Sequence, residues 1–162
     1  MALEIRQKHF KGLEFYLDFH GHSSKKNLFA YGPDYTPKNV YFFKSRIFVK
    51  LIEDFHPIFS YKKSIFKISE GKKKTARAHM LWKLKIPMVY TFEVSNGMYE
   101  TKNKDNILLT EKILLDAGAA VMKGFFKYVK LEMRIPARLM QKKTQKENIK
   151  KRIIRSSKGI RD

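Results

Sequence analysis

Residues 15 to 32 set the terms for the rest of the chain. Apolar and β-prone residues run from Phe15 through Leu17 to Phe19 and His20, and Gly21, Ser23, Ser24, Lys25 and Lys26 then break the pattern. Such a run predicts a buried strand ending in a polar loop, with His20 at the strand end. A second short strand is predicted over 27–31, and Gly32 and Pro33 turn the chain because neither continues regular pairing. At the carboxyl ends of strands in open α/β sheets, loops converge on one crevice while the sheet holds them rigid. A histidine in that position can carry chemistry.

Further along, Phe43, Ile47, Leu51 and Phe55 lie four apart, which predicts a helix over 41–55 with those residues as its apolar face, closed by Pro57. A strand portion is predicted over 65–68, and Glu70 with Lys72, Lys73 and Lys74 makes an exposed basic loop. Residues 75–84 read equally as helix or strand. Val89, Tyr90, Thr91, Phe92 and Val94 predict a strand that Asn96 and Gly97 end with a turn. Glu93 falls inside that strand, where a carboxylate among apolar neighbours costs free energy unless it is paired or used. Thr110 is an N-cap for a helix whose apolar face is Ile113, Leu114, Ala117, Val121, Phe125 and Tyr128. Gly118 and Gly124 lower its propensity but let another backbone come close, and Pro136 limits or kinks it. Residues 1–13 suit a short helix or a lead-in to the first strand. The fold class expected from this order is α/β, a mixed β-sheet with flanking helices.

The composition, 43% hydrophobic and 14% aromatic, supports a folded body, whereas the formal charge of +20 calls for an acidic partner. Without cysteine, disulfides and thiolate metal sites are excluded. No apolar run reaches the roughly eighteen residues that a membrane span needs, and no charged-then-apolar leader opens the chain, so the expectation is a cytoplasmic protein with no membrane partner. Beyond Pro136, lysines and arginines from Lys142 to Arg161 dominate, so residues 136–162 are expected to be a basic tail, helical or disordered. Nucleic acid is a possible partner for that tail, although no aromatic residues interleave with its charges as a base-stacking surface requires.

The segment containing Asp18, His20, Gly21, His22 and Ser23, followed by basic residues, Asn27, Tyr31 and Gly32, resembles the cytosolic carboxypeptidase branch of the zinc metallocarboxypeptidases. A second match follows in the family's order, at Thr75, Ala76 and Arg77, then Trp82, then Tyr90 to Ser95. The resemblance covers roughly residues 15 to 123 and implies that 1–135 form the C-terminal portion of a carboxypeptidase-like catalytic domain. It implies zinc as cofactor, with His20 as one ligand of the three protein donors that a hydrolytic zinc takes. Spacing alone also admits His22, which an extended chain points to the same face. Glu93 is implied as the general base acting on the zinc-bound water. Arg77 is implied at the base of the pocket for the departing residue, where a guanidinium prefers a glutamate side chain. Lys25, Lys26 and Lys72 to Lys74 would ring the cleft. Taken without the resemblance, a strand-end histidine is more often an ordinary hydrogen-bonded side chain, Glu93 a solvent-facing glutamate and Arg77 one more surface arginine.

The implied activity is removal of C-terminal residues, glutamates foremost, from acidic protein tails such as those of tubulin. The family draws its other two ligands from an upstream His-x-x-Glu motif, and His9, Glu4 and Glu14 do not have that spacing. The Asn-Arg pair that grips the substrate's terminal carboxylate in the family has no counterpart either. One of three ligands is therefore expected here, with weak or no activity from the chain alone. The alternative is a non-catalytic basic protein that binds acidic polymers or nucleic acid.

Overall fold

The computed structural model describes the backbone of residues 12–158 and the side chains of residues 12–134. The expectation for the start of the chain falls on residues 1–11, outside the described residues, as do the side chains of the basic tail. The chain divides into two compact units, Met1–Phe125 and Phe126–Asp162.

The first unit is built on three strands, β1 (Phe15–His22), β2 (Leu28–Tyr31) and β3 (Met88–Ser95), in the order β1-β3-β2. β3 is central, parallel to β1 and antiparallel to β2. The sheet is therefore mixed, as the sequence predicts. Two short antiparallel strands, β4 (Met98–Glu100) and β5 (Asn106–Leu108), form a separate ribbon. The helices are α1 (Tyr41–Glu53), α2 (Ala76–Trp82) and α3 (Glu111–Lys158). Alternation along β3 sends Met88, Tyr90 and Phe92 to one face and Val89, Thr91 and Glu93 to the other. On the first face, Phe48 of α1 meets Tyr90 and Phe92, and Phe125 of α3 meets Phe15. On the second, Ala78 and Leu81 of α2 cluster with Val89, Ile68 and Ile86. Among the described residues, no helix is long and apolar enough to cross a membrane.

α1 forms where the sequence places it, but on a different face. Ser45, Phe48, Val49 and Ile52 are buried, while Phe43 and Ile47 are 63% and 48% exposed. The helix carries apolar residues around most of its circumference, so spacing alone admits two stripes. The stripe with the small Ser45 goes inward, where Phe48 packs on Tyr90 and Phe92 and the Tyr90 hydroxyl donates to the Ser45 carbonyl at 3.0 Å.

Residues 65–68 do not form the strand predicted there. Instead, the stretch from Ile58 to Ile65 hydrogen-bonds along the free edge of β2 through two isolated bridges, Leu28 with Phe59 and Tyr31 with Ile65. The one-turn 3-10 helix Tyr61–Lys63 between them stops a continuous ladder. That edge is covered without a fourth strand.

The ambiguous segment resolves as α2, with the Thr75 hydroxyl accepting from the Ala78 amide at 3.4 Å as its N-cap. At the start of α3 the Thr110 hydroxyl accepts from the Ile113 amide at 3.3 Å, and the helix continues through Pro136 to Lys158. Its two glycines differ sharply. A Cβ on Gly124 would lie 3.1 Å from the Ile52 Cα and 3.2 Å from its nitrogen, while one on Gly118 would meet nothing within 4 Å. Gly124→Ala is accordingly expected to destabilise the first unit by about 1–3 kcal/mol, and Gly118→Ala to stabilise it by about 0.5–1 kcal/mol. Urea unfolding of the two variants checks the opposite signs.

Candidate active site

Because β1 and β3 are parallel and in register, Asp18 lies opposite Thr91 and His20 opposite Glu93. Paired residues of a parallel ladder share a face, and this is the face on which α2 packs. The first turn of α2 brings Arg77 there. Asp18, His20, Tyr31, Lys67, Arg77 and Glu93 are among the residues lining one cavity of about 540 Å³. The three residues singled out from the sequence thus share a single cleft, although sixteen positions or more separate each from the next.

Each side chain is held differently. His20 is exposed, with its Nε2 3.0 Å from the Asp18 carboxylate. Arg77 is buried, its Nη1 donates to the Gly32 carbonyl, and its guanidinium carbon lies 5.7 Å from the centre of the Tyr31 ring. Burial pushes the Arg77 pKa down, with Asp34 and Tyr31 partly opposing it. Starting so far above neutrality, the guanidinium stays charged. Among the described residues no carboxylate forms a salt bridge with Arg77. A buried cation in that state favours an anion arriving in the cavity.

His22 has other work. Its Nδ1 accepts from the Ser24 and Lys25 amides at 3.2 and 3.0 Å, and its ring meets the edge of Phe29. It closes the turn after β1. A Cβ on Gly21, between the two histidines, would sit 2.6 Å from the Asn96 Oδ1, so a side chain there requires the exposed Asn96 side chain to move aside.

The ring of lysines differs from expectation. Lys25 lies over the Phe29 and Tyr31 rings, Lys26 donates to Asn106 Oδ1 at 2.8 Å, and Lys73 pairs with Glu70 at 2.6 Å. Lys72 lines the cavity, and so does Lys67, which sequence reasoning passed over as part of a strand. Asn27 was also passed over as a positioning residue. It is buried with φ 76°, its amide donates to the Glu100 carbonyl at 2.8 Å, and its Oδ1 accepts from Lys63 Nζ at 2.7 Å. An asparagine just before a strand, following a lysine pair, is a signal for such a left-handed turn position.

Among the described residues, no group of three His, Cys, Asp or Glu side chains is arranged to hold a metal ion. His20 supplies one imidazole, and the Asp18 carboxylate already engages its Nε2. A complete three-donor zinc centre does not fit these residues alone.

The fold is that of a metallocarboxypeptidase. A crystal structure titled as a metallo-carboxypeptidase from Burkholderia cenocepacia superposes with a TM-score of 0.60 at 16% identity, over 76% of this chain and 32% of that one. In sequence, cytosolic carboxypeptidase 2 of Homo sapiens is 33% identical over 104 residues, 64% of this chain and 11% of that protein. This chain carries part of a cytosolic carboxypeptidase-like domain. Cytosolic carboxypeptidase 2 of Xenopus tropicalis matches at 34% over the same share of both proteins. Cytosolic carboxypeptidase 3 of Mus musculus matches at 33% over 49% of this chain and 8% of its own length. The carboxypeptidase-like chain spans about a tenth of the length of the curated relatives it matches. No protein-family model matches it.

Proposed function

We propose that this domain forms the latter part of a carboxypeptidase cleft that receives acidic C-terminal residues, glutamate foremost, and that the complete site removes them by hydrolysis in the cytoplasm. Acidic protein tails, those of tubulin among them, are the substrates that such a cleft suits. The observation that carries the reading is the pairing of His20 with Glu93 across adjacent parallel strands, with Arg77 in the same cavity.

The roles follow from the chemistry of the side chains. Arg77 presents a guanidinium that takes a carboxylate through parallel hydrogen bonds, and Lys67 and Lys72 add positive charge at the cavity wall. Glu93, on the central strand, is placed to accept a proton from water as it adds to the peptide carbonyl. It returns that proton to the nitrogen as the C–N bond breaks. His20, oriented by Asp18, is the donor that these residues contribute to the zinc set of the metallocarboxypeptidases. The remaining donors must come from outside the described residues, so no zinc-dependent step is assigned to these residues alone.

A second reading, binding of acidic tails without hydrolysis, draws support from the missing three-donor group. Zinc content after dialysis and release of glutamate from a polyglutamate peptide separate the two. Under the first reading, any release by the chain falls about 10²-fold or more in Glu93→Gln. Release that is equal in the two proteins removes Glu93 from its role. Peptide binding with no release, even when a segment bearing the remaining zinc donors is supplied, selects the second reading.

A further inference from the structure

A second cavity, of about 430 Å³, lies near the other end of β3 beside Pro87, which immediately precedes Met88, the first residue of the strand. Met88 and Glu93 are five positions apart, roughly 17 Å along an extended strand. The cavity is therefore distinct from the cleft. Its lining includes three aromatic rings, Tyr35, Tyr41 and Trp82, and two carboxylates, Glu14 and Asp34, with Lys85 as the cation among the lining residues.

Several features show that the lining is held in place. The Tyr35 hydroxyl donates to the Pro87 carbonyl at 3.0 Å, and its ring stacks on that of Tyr41 with centroids 5.7 Å apart. Asp34 is fixed by accepting from the Ile68 amide at 3.0 Å. Trp82 is 38% exposed although Leu81 beside it packs into the core. It belongs to the sequence match that led to the cleft, yet it lines this cavity instead.

The charge here is more balanced than that of the molecule. Two carboxylates and one lysine line the cavity in a chain with a formal charge of +20. Arg77 is close enough to Asp34 to feel its charge, and Lys44 lies 5.8 Å from the centre of the Tyr41 ring, so that ring already receives a cation. Burial, then Tyr41 and Glu14, push the Tyr35 hydroxyl up to about 12, so its ring remains a neutral, electron-rich surface at physiological pH. Two carboxylates and electron-rich rings in the lining give an anion little to bind. Hard metal cations prefer a shell of oxygens to aromatic faces. Aromatic faces with nearby carboxylates suit a cation that is itself apolar on the outside. We infer that this cavity is a binding site for an alkylammonium group, carried either by a free small molecule or by a methylated lysine side chain.

Trp82 is the only tryptophan in the chain, so its fluorescence reports on the cavity. The full chain is titrated with tetramethylammonium chloride, with sodium chloride at matched ionic strength, and with 3,3-dimethylbutan-1-ol, a neutral compound of similar shape. Tetramethylammonium is expected to give a saturable change, with the neutral compound at least about tenfold weaker. Glu14→Gln, at an exposed side chain, is expected to weaken binding about tenfold, and Lys85→Gln to strengthen it severalfold. A short peptide carrying trimethyllysine that binds more tightly than tetramethylammonium assigns the group to a protein; the reverse order assigns it to a free small molecule. No saturable response to either cation, equal binding of the neutral compound, or unchanged affinity in Glu14→Gln overturns the inference.

Discussion

Phe48→Ala is expected to cost the first unit about 3–5 kcal/mol, enough to unfold a domain of ordinary stability. Phe48 is fully buried, and its ring lies 5.3 Å from that of Phe15, 5.0 Å from Tyr90, 6.4 Å from Phe92 and 6.5 Å from Phe125. It joins α1, both parallel strands and α3 in one aromatic cluster. Deleting the ring loses its transfer free energy and leaves a cavity walled by stiff rings that cannot collapse into it. Phe43→Ala, five residues earlier on the same helix and largely exposed, is expected to cost within about 0.5 kcal/mol. Urea unfolding of the two variants measures the difference. Equal losses would mean that α1 packs through the stripe suggested by four-residue spacing and not through the one described.

The second large effect concerns Arg77. Replacing it with methionine is expected to abolish preference for a C-terminal glutamate over a C-terminal glutamine, a loss of about 10- to 100-fold in relative affinity for the glutamate peptide. Competition between two peptides differing only in that residue is the suitable measurement, because a general loss of folding lowers both affinities together. Methionine retains much of the apolar stem while removing the fork and its bond to the Gly32 carbonyl. Arg77→Lys keeps the charge but not the planar pair of donors, and should recover only part of the preference. Preference unchanged in Arg77→Met would show that the guanidinium serves the Gly32 turn alone.

Much of this architecture was legible because the signals were local. The β-branched and aromatic run at 88–94 and the threonine at 110 each act on their own few residues, so β3 and the cap of α3 appear where the sequence puts them. β1 departs from expectation, running on through Gly21 to His22 with no residue fully buried, because it lies beside β3 at the edge of the three-stranded sheet. The inward face of α1 was not legible, since two apolar stripes compete on that helix and only the sheet beneath it chooses. Nor was the fate of 65–68, where β-prone residues meet a 3-10 turn just upstream and make a single bridge, at Ile65. Lys67 was missed in the cleft for the same reason. Its place depends on how that segment runs along β2, not on its neighbours in the chain.

Sequence alone determined the charge, the absence of thiol chemistry, the place of His20 on the first strand and the motif that ties it to Glu93 and Arg77, while the strand itself runs two residues further than expected. Tertiary structure decided which of these groups meet. Parallel pairing of β1 with β3 in one particular register places His20 opposite Glu93, and a slip of one residue would turn one of them to the other face. Register is set by contacts across more than seventy intervening positions, and local propensity carries no record of such contacts.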